Sequence, residues 1–358
     1  MQQPGFLDDL RRMSARVGAN ILLVQGAGGN SSVKRNDVLW VKASGAWLSE
    51  AKEKDMFVPV ELAGARAALA AGNEKMPVAG GFGEITLRAS IETSLHALMP
   101  HSVVLHVHAV NTIAWAALDG VEGELAKRLQ GLAWRQLPYR RPGLPLSQVV
   151  AEHTAKTRAD VLILGNHGLL VGAETCDAAE ALIAEVERRL ELKPRAAPAG
   201  DLKALQRICS GTAYRPAADA VCHGIATHPQ NFALATKGSL YPDHVVFLGP
   251  ALPSLAVDGD LGKLVADAEA QSVPPPVALL VPGAGAIIRQ DASAGAEAML
   301  VCLGLVVARI PEAAKLRYLP SHEEQALLNW DAERYRQQMM KARSAGNVNC
   351  YVSGGRWY

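Results

Sequence analysis

His106 and His108 stand in the run Val103-Val104-Leu105-His106-Val107-His108-Ala109, an apolar, β-branched stretch with one residue between two imidazoles. In a strand, residues i and i+2 point to the same side, so this spacing puts both rings on one face. Imidazole is the commonest protein ligand for zinc-like metals, and a catalytic site takes three protein ligands and keeps a position open. Alone, the pair reads equally well as two histidines satisfied by hydrogen bonds within a sheet. A third histidine, His167, follows the apolar run Val161–Leu164 in the turn Asn166-His167-Gly168, a place where a ligand can face a pocket. Glu92 and His96 form an i, i+4 pair on one face of a helix expected over Ser90–Met99 and closed by Pro100. Together these residues offer three neutral imidazoles and a carboxylate, able to hold a divalent cation as a Lewis acid and to supply a base.

A second set of residues suits anions. Gly28-Gly29-Asn30-Ser31-Ser32 and Ser44-Gly45 supply backbone N–H groups and hydroxyls in tight turns, and such turns bind phosphate or carboxylate. The glycines fit neither G-x-x-x-x-G-K-[ST] nor a G-x-G-x-x-G run entering a helix, which excludes a P-loop and a dinucleotide fingerprint. By themselves they read as a glycine-rich hairpin. Gly283-Ala284-Gly285 reads as a turn.

The elements that must position these groups alternate between helix and strand. Helices are expected near Phe6–Ser14, over residues 59–72 with Gly72 ending the run, over Thr112–Leu118, Glu122–Leu129, Ser147–Thr157 and Ala178–Leu192, and strands at Val38–Lys42, Val103–Ala109 and Val161–Leu164. Lys193–Gly200, polar with two prolines, is the clearest linker. Beyond it come expected helices at Leu202–Cys209 and Ala294–Ala308 and strands at Val245–Leu248 and Ala278–Val281. Ser272-Val273-Pro274-Pro275-Pro276 is a stiff connector, and Ser321-His322-Glu323-Glu324 matches a capping box for a helix through Lys341. The organisation expected is a first domain at 1–192, a linker at 193–203, a smaller α/β extension at 204–345 and a tail at 346–358.

The bulk numbers narrow the class. The 358 residues carry 49% hydrophobic and 20% charged side chains with a net charge of +1, an ordinary globular balance with no field for nucleic acid or an anionic membrane. Aromatics are 5%, too few for a base-stacking platform. The longest apolar run, near Ala298–Val307, is too short to span a bilayer and reads as a buried helix. Met1-Gln2-Gln3-Pro4-Gly5 has no basic stretch leading into an apolar one, so no signal peptide is expected. Cys176, Cys209, Cys222, Cys302 and Cys350 are scattered and lack a Cys-x-x-Cys pair, which suits a reducing, cytoplasmic setting.

Gly29-Asn30-Ser31-Ser32, Ser44-Gly45, Ser90-x-Glu92, His106-x-His108-Ala109-Val110, Pro138-Tyr139 and Asn166-His167-Gly168-Leu169 occur in an order and spacing that resemble the class II aldolase/adducin family, near its fuculose-1-phosphate and rhamnulose-1-phosphate aldolases. The resemblance covers roughly residues 8–192. It implies an α/β fold, a three-layer α/β/α domain with a mainly antiparallel central sheet. It implies that His106, His108 and His167 ligate zinc, with manganese or cobalt as substitutes, that Glu92 is the acid/base, and that Gly29, Asn30, Ser31, Ser44, Gly45 and Ser90 cradle a phosphate. Tyr139 matches the tyrosine that protonates the aldehyde oxygen from a neighbouring subunit, which implies a homo-oligomer, with a tetramer as the expected ring. Ile91, standing between Ser90 and Glu92, departs from the two adjacent serines of those aldolases; Lys42 and Arg140 could add positive charge there.

The segments Tyr241–Gly249 and Asn329–Arg336 resemble the region after the aldolase part in long proteins that join it to a short-chain dehydrogenase. His223, His228 and His244 read as structural or interfacial histidines, with a second site as the alternative. The activity implied is a zinc-dependent aldolase acting on a small phosphorylated ketose or related sugar acid. The rivals are a sugar-phosphate 4-epimerase, whose relatives carry aspartate where Glu92 stands, a 3-oxo sugar-acid phosphate decarboxylase, and a non-catalytic adducin-like scaffold, which would lack the metal histidines.

Overall fold

The computed structural model describes residues 4–346, with side chains placed to residue 339. Its first half runs α1 (Asp8–Ala19), β1 (Asn30–Arg35), β2 (Val38–Lys42), β3 (Phe57–Glu61), α2 (Leu62–Ala70), α3 (Thr93–Leu98), β4 (Val103–Val107), α4 (Val110–Ala116), α5 (Glu122–Arg128), β5 (Trp134–Leu137), α6 (Leu144–Thr154), β6 (Val161–Leu164), β7 (Gly168–Ala173) and α7 (Cys176–Arg189). The strands form one sheet in the order β3-β2-β1-β4-β7-β6-β5. Every pairing is antiparallel except β5 with β6. Helices α1, α4 and α7 pack on one face, and α2, α3 and α6 on the other. This is a three-layer α/β/α arrangement around a mainly antiparallel sheet.

Strand β4 is central and buried at every position. Val103, Leu105 and Val107 join the core beneath α1, α4 and α7, whereas Val104 faces the core under α3 and α6. His106 shares the Val104 side by the two-residue period of a strand. Two tight turns set the neighbouring registers. Asn36 and Asp37 both have positive φ, 50° and 61°, the geometry of a two-residue hairpin between β1 and β2. Asn166 has φ 49° and turns the chain from β6 into β7.

The second half runs α8 (Leu202–Cys209), β8 (Tyr214–Pro216), α9 (Ala220–Thr227), α10 (Pro229–Lys237), α11 (Pro242–Leu248), α12 (Leu261–Ala270), β9 (Ala278–Val281), β10 (Gly285–Arg289), α13 (Ala294–Val307), α14 (Ser321–Leu328) and α15 (Asp331–Gly346). Its strands make a separate antiparallel sheet, β8-β10-β9. The apolar helix α13 packs against α9, α11 and, from the first half, α4. One hydrophobic cluster therefore runs through both halves, from Leu7 to Leu327.

Several expectations change in the folded chain. Val245–Leu248, expected as a strand, belongs to helix α11: Pro242 occupies its first turn, and all seven residues are buried, so the run carries no helical period to read. The helix expected from Ser90 starts at Thr93, after a turn in which the Thr93 hydroxyl donates to the Ser90 carbonyl. The capping box at Ser321 is not made; Pro320 precedes the helix, and the helix expected through Lys341 is interrupted between α14 and α15, where Trp330 packs under the Arg141 guanidinium, 4.4 Å from the ring centre. Residues 193–201 carry no regular structure, yet Arg195 donates to Asn231 Oδ1 and to the Val307 and Ile310 carbonyls at 2.5–3.1 Å, so the connector is pinned to the end of α13. Cys350 and all of the expected tail beyond Gly346 lie outside the described residues.

Two glycines with opposite surroundings test the packing. A Cβ on Gly168 would lie 2.5 Å from the Val107 carbonyl oxygen, so Gly168→Ala must separate β7 from β4, with an expected loss of about 1–3 kcal/mol. Gly123, on helix α5, has nothing within 4 Å of an added Cβ; Gly123→Ala should instead gain about 0.5 kcal/mol. Urea midpoints of the two variants are expected to move in opposite directions.

Candidate active site

The three imidazoles meet where β4 ends and β7 begins. Register does most of the positioning: Asn30 of β1 and Leu170 of β7 sit opposite His106 on either side. His106 Nδ1–H donates to the Leu169 carbonyl at 3.0 Å, which turns the Nε2 lone pair toward His108 and His167. His108, just past the strand, presents its Nε2 3.1 Å from His106 Nε2. The left-handed turn at Asn166 swings His167 in, with its ring centre 4.9 Å from that of His106 and 5.2 Å from that of His108. Asn166 is held in turn by donating to the Leu240 and Arg317 carbonyls of the second half at 3.0 and 2.6 Å.

Glu92 reaches the same point from the residue before α3. Its Oε2 lies 3.4 Å from His106 Nε2 and its Oε1 3.3 Å from His167 Nε2. Asn30 Nδ2 donates to Oε2 at 2.9 Å, while Oε1 is buried without a hydrogen-bond partner. The four ligating atoms of Glu92, His106, His108 and His167 all lie within 4.8 Å of one another. Burial pushes His106 down and His167 down to about 3, against the pull of Glu92, so both imidazoles are neutral and free to ligate. Burial would raise Glu92, but the positive charge of the imidazoles when they are protonated, with that of Arg336, outweighs it and brings the group down to about 2. Convergent nitrogen lone pairs and an orphaned carboxylate oxygen fit a divalent cation. His96, the i+4 partner of Glu92, is not part of the cluster; it bonds Ser32 Oγ at 2.7 Å through Nδ1.

The residues expected to cradle an anion part company at Asn30 and Ser31, neighbours on β1 that strand parity sends to opposite faces. Gly29, Asn30, Ser44, Gly45 and Ser90 line a pocket beside Glu92 and His108, about 20 Å³ in volume, room for about one water. Ser31, expected with them, points through the opposite face of the sheet, where its hydroxyl meets that of Ser14 on α1 at 2.7 Å. Close approach explains the glycines: a Cβ on Gly28 would be 2.9 Å from His108 Nδ1, and one on Gly29, where φ is +66°, 2.8 Å from the His106 carbonyl. Lys42 lines the pocket, but its Nζ is spent on the Ala27 and Ala46 carbonyls, both at 2.8 Å, and burial pushes it down to about 7. Arg140 is exposed and bonds the Tyr139 carbonyl instead.

Tyr139 is not among the residues that line the pocket beside the cluster. Its hydroxyl is buried without a hydrogen-bond partner, and burial raises it, reinforced by the charge of Glu323 on α14. The remaining histidines do not assemble: His223 Nδ1 accepts from Ala286 N–H, His228 caps α10, and His244 accepts at 3.4 Å from Leu240 N–H.

Two site residues come from the second half. Asp243, in the first turn of α11, has its Oδ2 3.1 Å from His108 Nδ1. Arg336 of α15 lines the pocket and pairs with Asp243 Oδ1 and, at 3.2 Å, with Glu333 Oε1. A carboxylate in the first turn of a helix is ordinary, so Pro242-Asp243 carries no ligand signal in the sequence. Arg336 stands in a charged run whose buried side is fixed only by packing.

The family model for the class II aldolase and adducin N-terminal domain matches residues 12–193. The chain belongs to that family. An uncharacterized oxidoreductase, YuxG of Bacillus subtilis, is 28% identical over 194 residues, which is 49% of this chain and 28% of that protein. The chain thus spans well under half the length of that relative. Among solved structures, the N-terminal class II aldolase domain of a conserved protein from Thermoplasma acidophilum is 27% identical, with a TM-score of 0.45, covering 53% of this chain and 94% of its own. YgbL of Klebsiella pneumoniae, described as an aldolase, epimerase or decarboxylase, is 21% identical with a TM-score of 0.38, covering 51% of this chain and 86% of its own. Among the described residues no helix is long and apolar enough to cross a membrane.

If the cluster holds a metal through its imidazoles, elemental analysis should find a divalent ion in the wild type and only a trace in the double variant His106→Ala/His108→Ala. Stoichiometric metal in a folded double variant would move the ligands elsewhere.

Proposed function

We propose that the protein is a metal-dependent aldolase that cleaves or forms a small phosphorylated ketose or related sugar acid. The observation that carries this reading is the buried convergence of Glu92 with His106, His108 and His167 beside a glycine- and serine-lined pocket. His106, His108 and His167 would hold a divalent ion, zinc in the first instance, which when bound would supply Lewis-acid polarisation of a carbonyl. Glu92, held in place by the Asn30 amide, moves the proton at the carbon next to the substrate carbonyl. The backbone N–H groups around Gly29 and Gly45, with the Ser44 and Ser90 hydroxyls, orient the anionic end. Tyr139 serves the hydroxyl that becomes the aldehyde, acting across a subunit boundary in a homo-oligomer. The setting we propose is the cytoplasm.

The test is a screen of the metal-loaded protein against phosphorylated ketoses and sugar acids, scoring release of dihydroxyacetone phosphate or a related carbonyl fragment. Glu92→Gln should keep the fold and lower turnover by about 100-fold or more. Near-normal turnover would remove Glu92 from the proton transfer, and release of carbon dioxide without a carbonyl fragment would replace aldol cleavage by decarboxylation. Mixing Tyr139→Phe subunits with His106→Ala subunits should recover activity if sites are shared; a fully active monomer in sedimentation would remove the shared site.

A further inference from the structure

We infer that Asp243, delivered by the second half of the chain, is a positioning residue for the metal ligand His108, and that Arg336 holds it in place. This inference rests on the metal reading of the histidine cluster. His108 turns Nε2 toward the other imidazoles, so a ligating His108 must carry its proton on Nδ1. The atom facing Nδ1 is Asp243 Oδ2, at 3.1 Å. A carboxylate behind a ligating imidazole fixes its tautomer and ring angle and raises its basicity. His106 is fixed by a backbone carbonyl of its own sheet, so the two strand histidines are oriented by different halves of the protein.

Asp243 is built to stay where it is. It is 3% exposed, on a helix whose seven residues are all buried. Its other oxygen, Oδ1, pairs with the Arg336 guanidinium. Arg336 reaches Glu333 Oε1 with its second arm and lies 5.1 Å from the Phe247 ring centre, at the far end of α11. The adjacent Gln337 side chain donates to the Val246 carbonyl, fastening α15 to α11. The chain of contacts is therefore Glu333, Arg336, Asp243, His108. A purely structural ion pair between α11 and α15 would need only Asp243 Oδ1; it gives no reason for Oδ2 to face the back of a metal ligand.

Asp243→Asn separates the two roles. Arg336 claims the amide oxygen, which turns the amide NH2 toward His108 Nδ1 and removes its acceptor. The double variant Asp243→Ala/Arg336→Met removes the ion pair behind His108 and leaves Glu333 to take up a proton, which its burial favours. The apo protein would be titrated with zinc against a chromogenic chelator, and with cobalt to read its visible absorption bands, with His108→Ala as the reference and circular dichroism as the measure of fold. Asp243→Asn and the double variant are expected to lose about 10–100-fold in zinc affinity and to shift the cobalt bands while remaining folded. Wild-type affinity and an unchanged cobalt spectrum in either folded variant would overturn the inference. If His108→Ala weakens binding and the Asp243 variants do not, the positioning role falls and the metal reading stands. If the wild type binds neither ion, both fall together.

Discussion

Lys42, Glu92, Asp243, Glu333 and Arg336 are all buried, within the reach of one another's charge. Burying a charge costs several kcal/mol unless it is paired and hydrogen-bonded. Much of the molecule around the site is arranged to meet that cost. Arg336 bridges Asp243 and Glu333, Asn30 bonds Glu92, and Lys42 is capped by two carbonyls. Lys42 and Arg336 stand among three carboxylates, Glu92, Asp243 and Glu333. Burial pushes Glu333 up to about 7, aided by the charges of Asp243 and Glu92, which makes it the first of the three to take up a proton. A buried, carboxylate-rich cluster with converging nitrogen lone pairs is a setting that favours a divalent cation.

The same constraint accounts for the second half of the chain. Helix α15 lies against the pocket: Arg336 lines it, and a Cβ on Gly45 would lie 3.0 Å from Met339 of α15. The second half is anchored away from the site by α13, whose apolar surface packs on α4, and by Asn166, which ties the His167 turn to the Leu240 and Arg317 carbonyls. Fold and site are thereby linked: loop carbonyls of the second half, at Leu240 and Arg317, fix the turn that carries His167.

The chemistry-bearing core of the site is legible in the sequence because it depends on local rules. Strand parity puts His106 and His108 on one side of β4, and a turn after an apolar strand exposes His167. The same parity, applied to β1, separates Asn30 from Ser31; it is the family pattern, which runs through both residues without regard to the pleat, that groups them. Helix α11 reads as a strand because a fully buried helix shows neither the alternation of a strand nor the stripe of a surface helix. Helical spacing pairs Glu92 with His96, but the chain is still a turn at Glu92, so the two side chains go to different partners.

What the sequence by itself determined is the set of candidate ligand types, the strand that presents two of them, the glycines that let the loops approach, and membership in a fold whose central sheet is mainly antiparallel. Each comes from short-range periodicity, steric freedom or a motif in fixed order. What only the tertiary structure decided is which distant charges enter the site. Asp243 behind His108 and Arg336 between Asp243 and Glu333 are consequences of how two halves pack. Their pairing is set by the need to neutralise charge in a volume that exists only after the sheet, α11 and α15 have closed around it, and no local pattern in the chain encodes that volume.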